Sequence, residues 1–304
     1  MIATLAEMFS YAFLSRAVIV GMLISLCAAL LGVSMVLKRY AMIGDSLSHV
    51  GFGALALSTA ASDGIRSVLL GLASAFPALA LTDERIDSLM DAMPLIISLP
   101  VVMLAAFLLL RLSQSSRIKG DAALGLISSG ALAVGVMTVS LTKGMNTDVT
   151  NYMFGSILSI SASDAVFTVI VTVCLLIVYL LFYQRIFSVT FDESFARATG
   201  TPAGTYNTVL AVLTAVTVVL GMRMMGALLI SSLIVFPALT AMRLCRTYRA
   251  TVITAALLSL VCFLVGIVLS YRLEFPTGAA VVCVHIVAFL VFSLIARIRA
   301  GIRN

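Results

Sequence analysis

Charged side chains are scarce in this sequence. They make up 11% of its 304 residues, while 62% are hydrophobic. Soluble globular domains run nearer 45–50% apolar and about 25% charged, so a soluble fold is excluded. Paired cysteines are missing as well. Cys27, Cys174, Cys245, Cys262 and Cys283 are scattered without CxxC spacing, and they read as small hydrophobes, neither disulfides nor metal ligands. The chain has no GxxxxGK[ST] loop, so by itself it cannot hold ATP in that manner. HExxH, GxSxG and any recognisable nucleophile–base pairing are also absent, which argues against an enzyme. The formal net charge is +6, but no basic stripe interleaved with aromatics accompanies it. Nucleic acid is therefore not an expected partner. No cleavable signal peptide is visible; the first long apolar run reads as a retained helix.

What is present is a series of long apolar runs. One crossing needs roughly 20 mostly apolar residues, and the runs predict an all-α polytopic membrane protein, a single domain over 1–304, in contact with membrane lipid. Nine helices are expected, within a range of eight to ten: about 11–37, 44–61, 93–111, 122–142, 164–184, 204–222, 225–242, 250–271 and 276–296. The stretch 66–81 holds Pro77 and suits a re-entrant or interfacial piece. The stretch 148–160 is too short to span. Five basic clusters, Lys38-Arg39, Arg111/Arg117/Lys119, Arg185/Arg197, Arg243/Arg246/Arg249 and Arg297/Arg299/Arg303, fall on one face of this assignment. The positive-inside rule makes that face cytoplasmic, with the C-terminus inside. Most acids fall opposite, including the loop TDERIDSLMDAMP at 82–94. On the basic side lies TFDESFARATGTPAG, 190–204. Thr190 or Asp192 can cap a short helix there, Glu193 suits its first turn, and Gly200 and Pro202 stop it. Such a segment is either a connector or a docking element.

One apolar run carries polar groups in its interior: MIGDSLSHVGFG, 42–53. Asp45 and His49 are spaced i, i+4 and share a helix face. At 1.5 Å per residue His49 lies roughly 15 Å beyond Arg39, near the middle of a hydrocarbon core about 30 Å thick. An ionised carboxylate there costs at least about 2.5 kcal/mol unless it meets water or a cation. Ser46 and Ser48 add oxygens, and Gly44, Gly51 and Gly53 permit close backbone approach. A hydrogen-bonded pair that only fixes helix packing is the plain alternative. A passing ion is favoured by four polar groups within a turn and a half. Carboxylate with imidazole suits zinc or manganese better than an alkali ion, and a proton relay is also chemically open. Asp148, at the outer end of the fourth helix, is a second candidate ligand. His285 reads as a satisfied core histidine, and Arg223 and Arg272 as residues that snorkel to headgroups.

KRYAMIGDSLSHVGFGALAL (38–57) resembles the hallmark of metal-ion ABC transporter permeases, the membrane subunits of bacterial zinc and manganese importers. KGDAALGLISSGALAVGV (119–136), DVTNYMFGSILSIS (148–161), FDESFARATG (191–200), MGALLISSLIVFPALTAMRL (225–244) and YRLEFPTGAAVV (271–282) match the same family in order. The resemblance spans about residues 10–297. It implies a multi-pass protein of a bacterial cell membrane with the vitamin B12-importer (type II) fold, working as a homodimer. Its partners would be a cytoplasmic ATPase subunit and an extracytoplasmic metal-binding protein. It implies a transported divalent ion, zinc or manganese with iron as a third option, and no resident cofactor. Asp45 and His49 map onto the family's metal site, Asp148 onto its outer acid. Phe191, Asp192, Glu193, Ala196, Arg197 and Gly200 map onto the coupling helix, within 190–203. The stretch 62–92 exceeds the family pattern and reads as an extracytoplasmic insertion. Two alternatives stay open. One is a chelate or cobalamin permease of the same fold, which a charged Asp–His pair argues against. The other is an ion-coupled secondary transporter, which an inverted repeat would favour; none is visible.

Overall fold

The computed structural model describes residues 11–75, 97–108, 120–141 and 162–301. Ten helices are found among them: α1 (Ala12–Leu37), α2 (Ile43–Ala75), α3 (Ile97–Leu108), α4 (Gly120–Leu141), α5 (Ala162–Phe191), α6 (Glu193–Ala198), α7 (Ala203–Met225), α8 (Ala227–Leu244), α9 (Tyr248–Leu273) and α10 (Thr277–Gly301). The described residues contain no strand. Seven helices, in α1, α4, α5 and α7 to α10, are long and apolar enough to cross a membrane. α2 is not one of them: its opening turns carry Asp45, Ser46, Ser48 and His49, and the sequence farther along it carries Asp63 and Arg66.

α1 is apolar on every side, as a helix in the middle of a bundle must be. It packs against α5, α7, α8 and α9. α8 lies against α1, α2, α7, α9 and α10, and α4 packs on α2. Small residues bring these helices close, the usual means of helix association where lipid removes the hydrophobic drive. At Gly32, a Cβ would sit 2.0 Å from the Ile234 carbonyl oxygen of α8. Between α7 and α8 the chain turns on one residue, Gly226, at φ 91 and ψ 156, a backbone region essentially restricted to glycine. Large apolar residues on α4, α5, α9 and α10, among them Leu126, Met137, Leu181, Leu257 and Leu294, point outward. That is the surface a lipid-embedded bundle presents.

Two contacts fix relative direction. Asp164 at the start of α5 pairs with Arg223 at the end of α7 at 3.0 Å. Ser34 in the last turn of α1 meets Tyr248 at the start of α9, with Oγ and Oη 2.9 Å apart. The C-terminal ends of α1 and α5 and the N-terminal ends of α7 and α9 thus share one end of the bundle, the basic one. The Asp164 pair also corrects the expectation that Arg223 only snorkels.

Two helix ends differ from expectation. α2 runs 33 residues without a break, where a stop at 61 and a separate piece at 66–81 were expected. α5 runs to Phe191, seven residues beyond the expected 184. The reason is common to both. Asp63, Arg66 and Arg185 end apolar runs in the sequence, but charge does not interrupt the i→i−4 ladder, and neither α2 nor α5 contains a proline. The remainder of the expected insertion, 76–92, and the 148–160 stretch lie outside the described residues.

Candidate functional site

α2 begins at Ile43, after a tightly bonded turn. The Tyr40 N–H donates to the Met35 carbonyl at 2.9 Å and the Arg39 N–H to that of Val36 at 3.0 Å. Arg39 takes the left-handed conformation at φ 63. This is the pattern that closes a helix with a left-handed residue just past its end, here without glycine. Because 38–42 is turn and not helix, His49 lies only about 9 Å from the start of α2, nearer the basic end than a straight helix from Arg39 would place it.

Asp45 Oδ2 and His49 Nε2 are 3.6 Å apart, just beyond hydrogen-bond reach. Two ligands each about 2.1 Å from one zinc ion at a tetrahedral angle stand about 3.4 Å apart, so both groups can meet one cation. Asp45 also occupies the first turn of α2, where the helix dipole favours negative charge. The neighbours on α2 are closed in. Gly44 approaches Ile234 of α8, Gly51 approaches Met222 of α7 and Val102 of α3, and Gly53 approaches Ala131 of α4. The side left open carries Met42, Asp45 and His49, with side-chain exposures of 52% for Asp45 and 23% for His49. The spacing 45, 49 puts the pair on one helical stripe, and the exposed Met42 lies just before it.

The two serines do not join them. The Ser46 hydroxyl donates to the Leu124 carbonyl at 3.5 Å and that of Ser48 to the Gly44 carbonyl at 2.8 Å. Both are buried. At about 100° per residue, positions 46 and 48 fall on either side of the Asp45–His49 stripe, so they serve backbone satisfaction and not the site. Among the described residues no group of three or more His, Cys, Asp or Glu is gathered, and Asp148 lies outside the described residues. His285 is buried at 1% exposure, and its Nδ1 donates to the Val281 carbonyl at 2.9 Å. That is the core role expected, although its Nε2 has no partner among the described residues.

At the basic end, Asp192 caps α6 by accepting from the Phe195 N–H at 2.9 Å, as expected, whereas the Thr190 hydroxyl bonds back to Ile186 within α5. Gly200, at φ 82, and Thr201 close α6 with bonds to the Arg197 and Ala196 carbonyls. Glu193 and Ala196 face the bundle; Ser194, Phe195 and Arg197 face away. Phe195 is 62% exposed. Sequence reasoning missed it, although the i, i+3 spacing of Glu193 and Ala196 would have placed 195 on the outer side. Replacing Asp192 by alanine is expected to destabilise this turn by about 1 kcal/mol, seen as faster amide exchange over Phe195–Ala198 with little change in α5.

Glu193 joins a chain of groups. Its carboxylate accepts from Arg197 at 2.5 Å and from Asn207 Nδ2 at 3.1 Å, and Asn207 Oδ1 accepts from the Lys38 ammonium. Burial works against ionisation of Glu193. The bonds from Asn207 and Arg197 and the field of Lys38 outweigh it and hold the carboxyl below the usual carboxylate range. Lys38 is lowered by burial, and the Glu193 charge partly restores it.

These features define a class: a helical membrane protein with a cation-suited pair on the open face of an enclosed helix. The ABC 3 transport family model matches residues 10–86 and 66–296. The chain belongs to that family, and the motif resemblance to metal-ion ABC transporter permeases holds. It is 30% identical, over 93% of its length and 97% of the relative's, to the high-affinity zinc uptake system membrane protein ZnuB of Haemophilus influenzae. It is 25% identical to the manganese transport system membrane protein MntC of Halalkalibacterium halodurans, over 91% and 85% of the two chains. Its fold resembles that of PsaBC from Streptococcus pneumoniae in complex with Fab, with TM-score 0.76, 24% identity, and 96% and 95% of the chains covered.

Proposed function

We propose that this chain is the membrane-spanning subunit of an ATP-driven importer of a divalent transition metal, zinc or manganese, with iron as a third candidate cargo. The observation that carries this reading is the Asp45–His49 pair, 3.6 Å apart on the open side of α2. Two ligands are too few for a closed zinc site, which takes four, and incomplete coordination suits an ion that passes. Asp148 supplies an outer ligand, and a second copy of the chain faces the open stripe across the transport route. About nine helices cross a bacterial cell membrane in the type II arrangement, with the basic end and the C-terminus in the cytoplasm. The segment 62–92 meets the extracytoplasmic side, where a metal-binding protein delivers the ion.

α6 is the coupling helix, together with Phe191, Asp192 and Gly200 at its margins. Arg197 and the exposed Phe195 ring contact the ATPase, while Glu193 and Ala196 bind α6 to the bundle. ATP binding by that partner moves α6 and switches the cavity between its two openings. The test is reconstitution with the ATPase and the binding protein in proteoliposomes. Uptake of zinc or manganese that requires ATP supports the reading; ATP-independent or proton-driven uptake overturns it. Phe195→Asp is expected to abolish co-purification of the ATPase, since a buried aromatic anchor is commonly worth at least about 2 kcal/mol at an interface.

A further inference from the structure

We propose that Asn207, with Lys38, is the positioning link that carries motion from the coupling helix to the metal-binding helix. The inference rests on the functional reading above and names the residues through which its two sites communicate. Three observations converge on the last turn of α1. The first is the polar chain from Glu193 of α6 through the Asn207 amide of α7 to the Lys38 ammonium. Its two ends carry opposite charge, and hydrogen bonds to ionised groups are about twice as strong as neutral ones. Asn207 is buried at 6% exposure, and both ends of its amide are engaged.

The second is an aromatic chain from the same end of α5. The Phe191 ring, next to the cap of α6, lies 5.8 Å from Tyr248 and 5.0 Å from Phe187, which is itself 4.9 Å from Tyr248. Tyr248 Oη then meets Ser34 Oγ at 2.9 Å. Ser34 lies in the last turn of α1, and its carbonyl accepts at 3.1 Å from the N–H of Lys38, the residue that caps the helix. Both chains therefore hold the same end of α1.

The third is the bonded connection from that turn into α2. The Tyr40-to-Met35 and Arg39-to-Val36 bonds close the turn, and the Ile43 N–H donates to the Tyr40 carbonyl at 3.0 Å. Hydrogen bonds thus run from the last turn of α1, at Ser34, Met35 and Val36, across Lys38 to Tyr40 and on to Ile43, and Asp45 sits two residues into α2. A displacement of Lys38 is passed on to the carboxylate and imidazole instead of being absorbed by a loose loop.

The experiment measures metal ions moved per ATP hydrolysed in the reconstituted complex, beside ATPase rate, ATPase co-purification and zinc affinity of the permease. Asn207→Ala is expected to lower the ratio by about tenfold, the scale of one lost hydrogen bond to a charged group, while ATPase rate, assembly and zinc affinity stay near wild type. Lys38→Met keeps the apolar stem packed and provides a second route should Asn207→Ala fold poorly; it is expected to lower the ratio to a similar degree. The double variant is expected to be no worse than the weaker single one, as for residues acting in one chain. An unchanged ratio in both single variants overturns the proposal. So does a fall in ATPase rate or assembly that matches the fall in transport, because it shows a merely structural role. A wild-type complex that moves neither zinc nor manganese with ATP overturns the functional reading itself, a result distinct from either of these.

Discussion

Replacing His49 by alanine is expected to lower zinc or manganese uptake by at least about 100-fold. Groups that only orient a metal ligand already cost 10–100-fold when removed, and His49 is proposed to touch the ion. Its ring stands 3.6 Å from the Asp45 carboxylate, so losing it leaves an acid with no nitrogen partner on α2. Neither Ser46 nor Ser48 can substitute, since both are buried and point to either side of the Asp45–His49 face. Asp45→Asn is expected to act similarly: it preserves shape and removes the charge that balances a divalent cation. In both variants ATPase co-purification is expected to remain intact, because α6 packs on α5 and α7 and its outward residues, Phe195 and Arg197, are untouched. Radiometal uptake in proteoliposomes and pull-down of the ATPase check the two halves. Uptake within twofold of wild type for His49→Ala would remove the site assignment.

Gly32→Val is expected to eliminate folded protein. A Cβ at residue 32 would lie 2.0 Å from the Ile234 carbonyl oxygen and 2.9 Å from its carbonyl carbon. No rotamer relieves a clash with backbone, so α1 and α8 must part. Overpacking a core commonly costs 1–3 kcal/mol. Here the obstruction is main chain, and α1 touches four other helices, so a loss of about 3 kcal/mol or more is expected even for Gly32→Ala. Gly125 in α4 provides the contrast. A Cβ there meets nothing within 4 Å, and exchanging a helical glycine for alanine then gains about 0.5–1 kcal/mol. Gly125→Ala is therefore expected to be neutral or stabilising. Size-exclusion profiles and thermal aggregation midpoints in detergent distinguish the two. Monodisperse, thermally unchanged Gly32→Val would show that α1 and α8 do not pack as described.

The pair at the centre of these predictions was conspicuous in the sequence because polar residues at i, i+4 stand out against an apolar run. Their serine neighbours shared the run but not the face, and only the helical turn separates the two. Transmembrane runs were legible because lipid demands them, and α1, α4 and α7 to α10 fall within a few residues of the expected ranges. Helix ends were less legible. Arg185 ends an apolar run in the sequence, yet α5 continues past it to Phe191. The Lys38–Asn207 contact was out of reach of local pattern, since its partners are 169 residues apart. Even so, an asparagine in an apolar helix signals that some partner exists, because buried amides are almost always satisfied.

α5 has one further consequence. Its 30 residues form a rod about 45 Å long at 1.5 Å per residue. The proposed coupling segment is fastened to one tip and the Asp164–Arg223 clasp to the other. Pivoted near one tip, such a lever tilted by about 5° swings the opposite tip through about 4 Å. A small push at one mouth of the bundle can thus be felt at the far mouth without bending any helix.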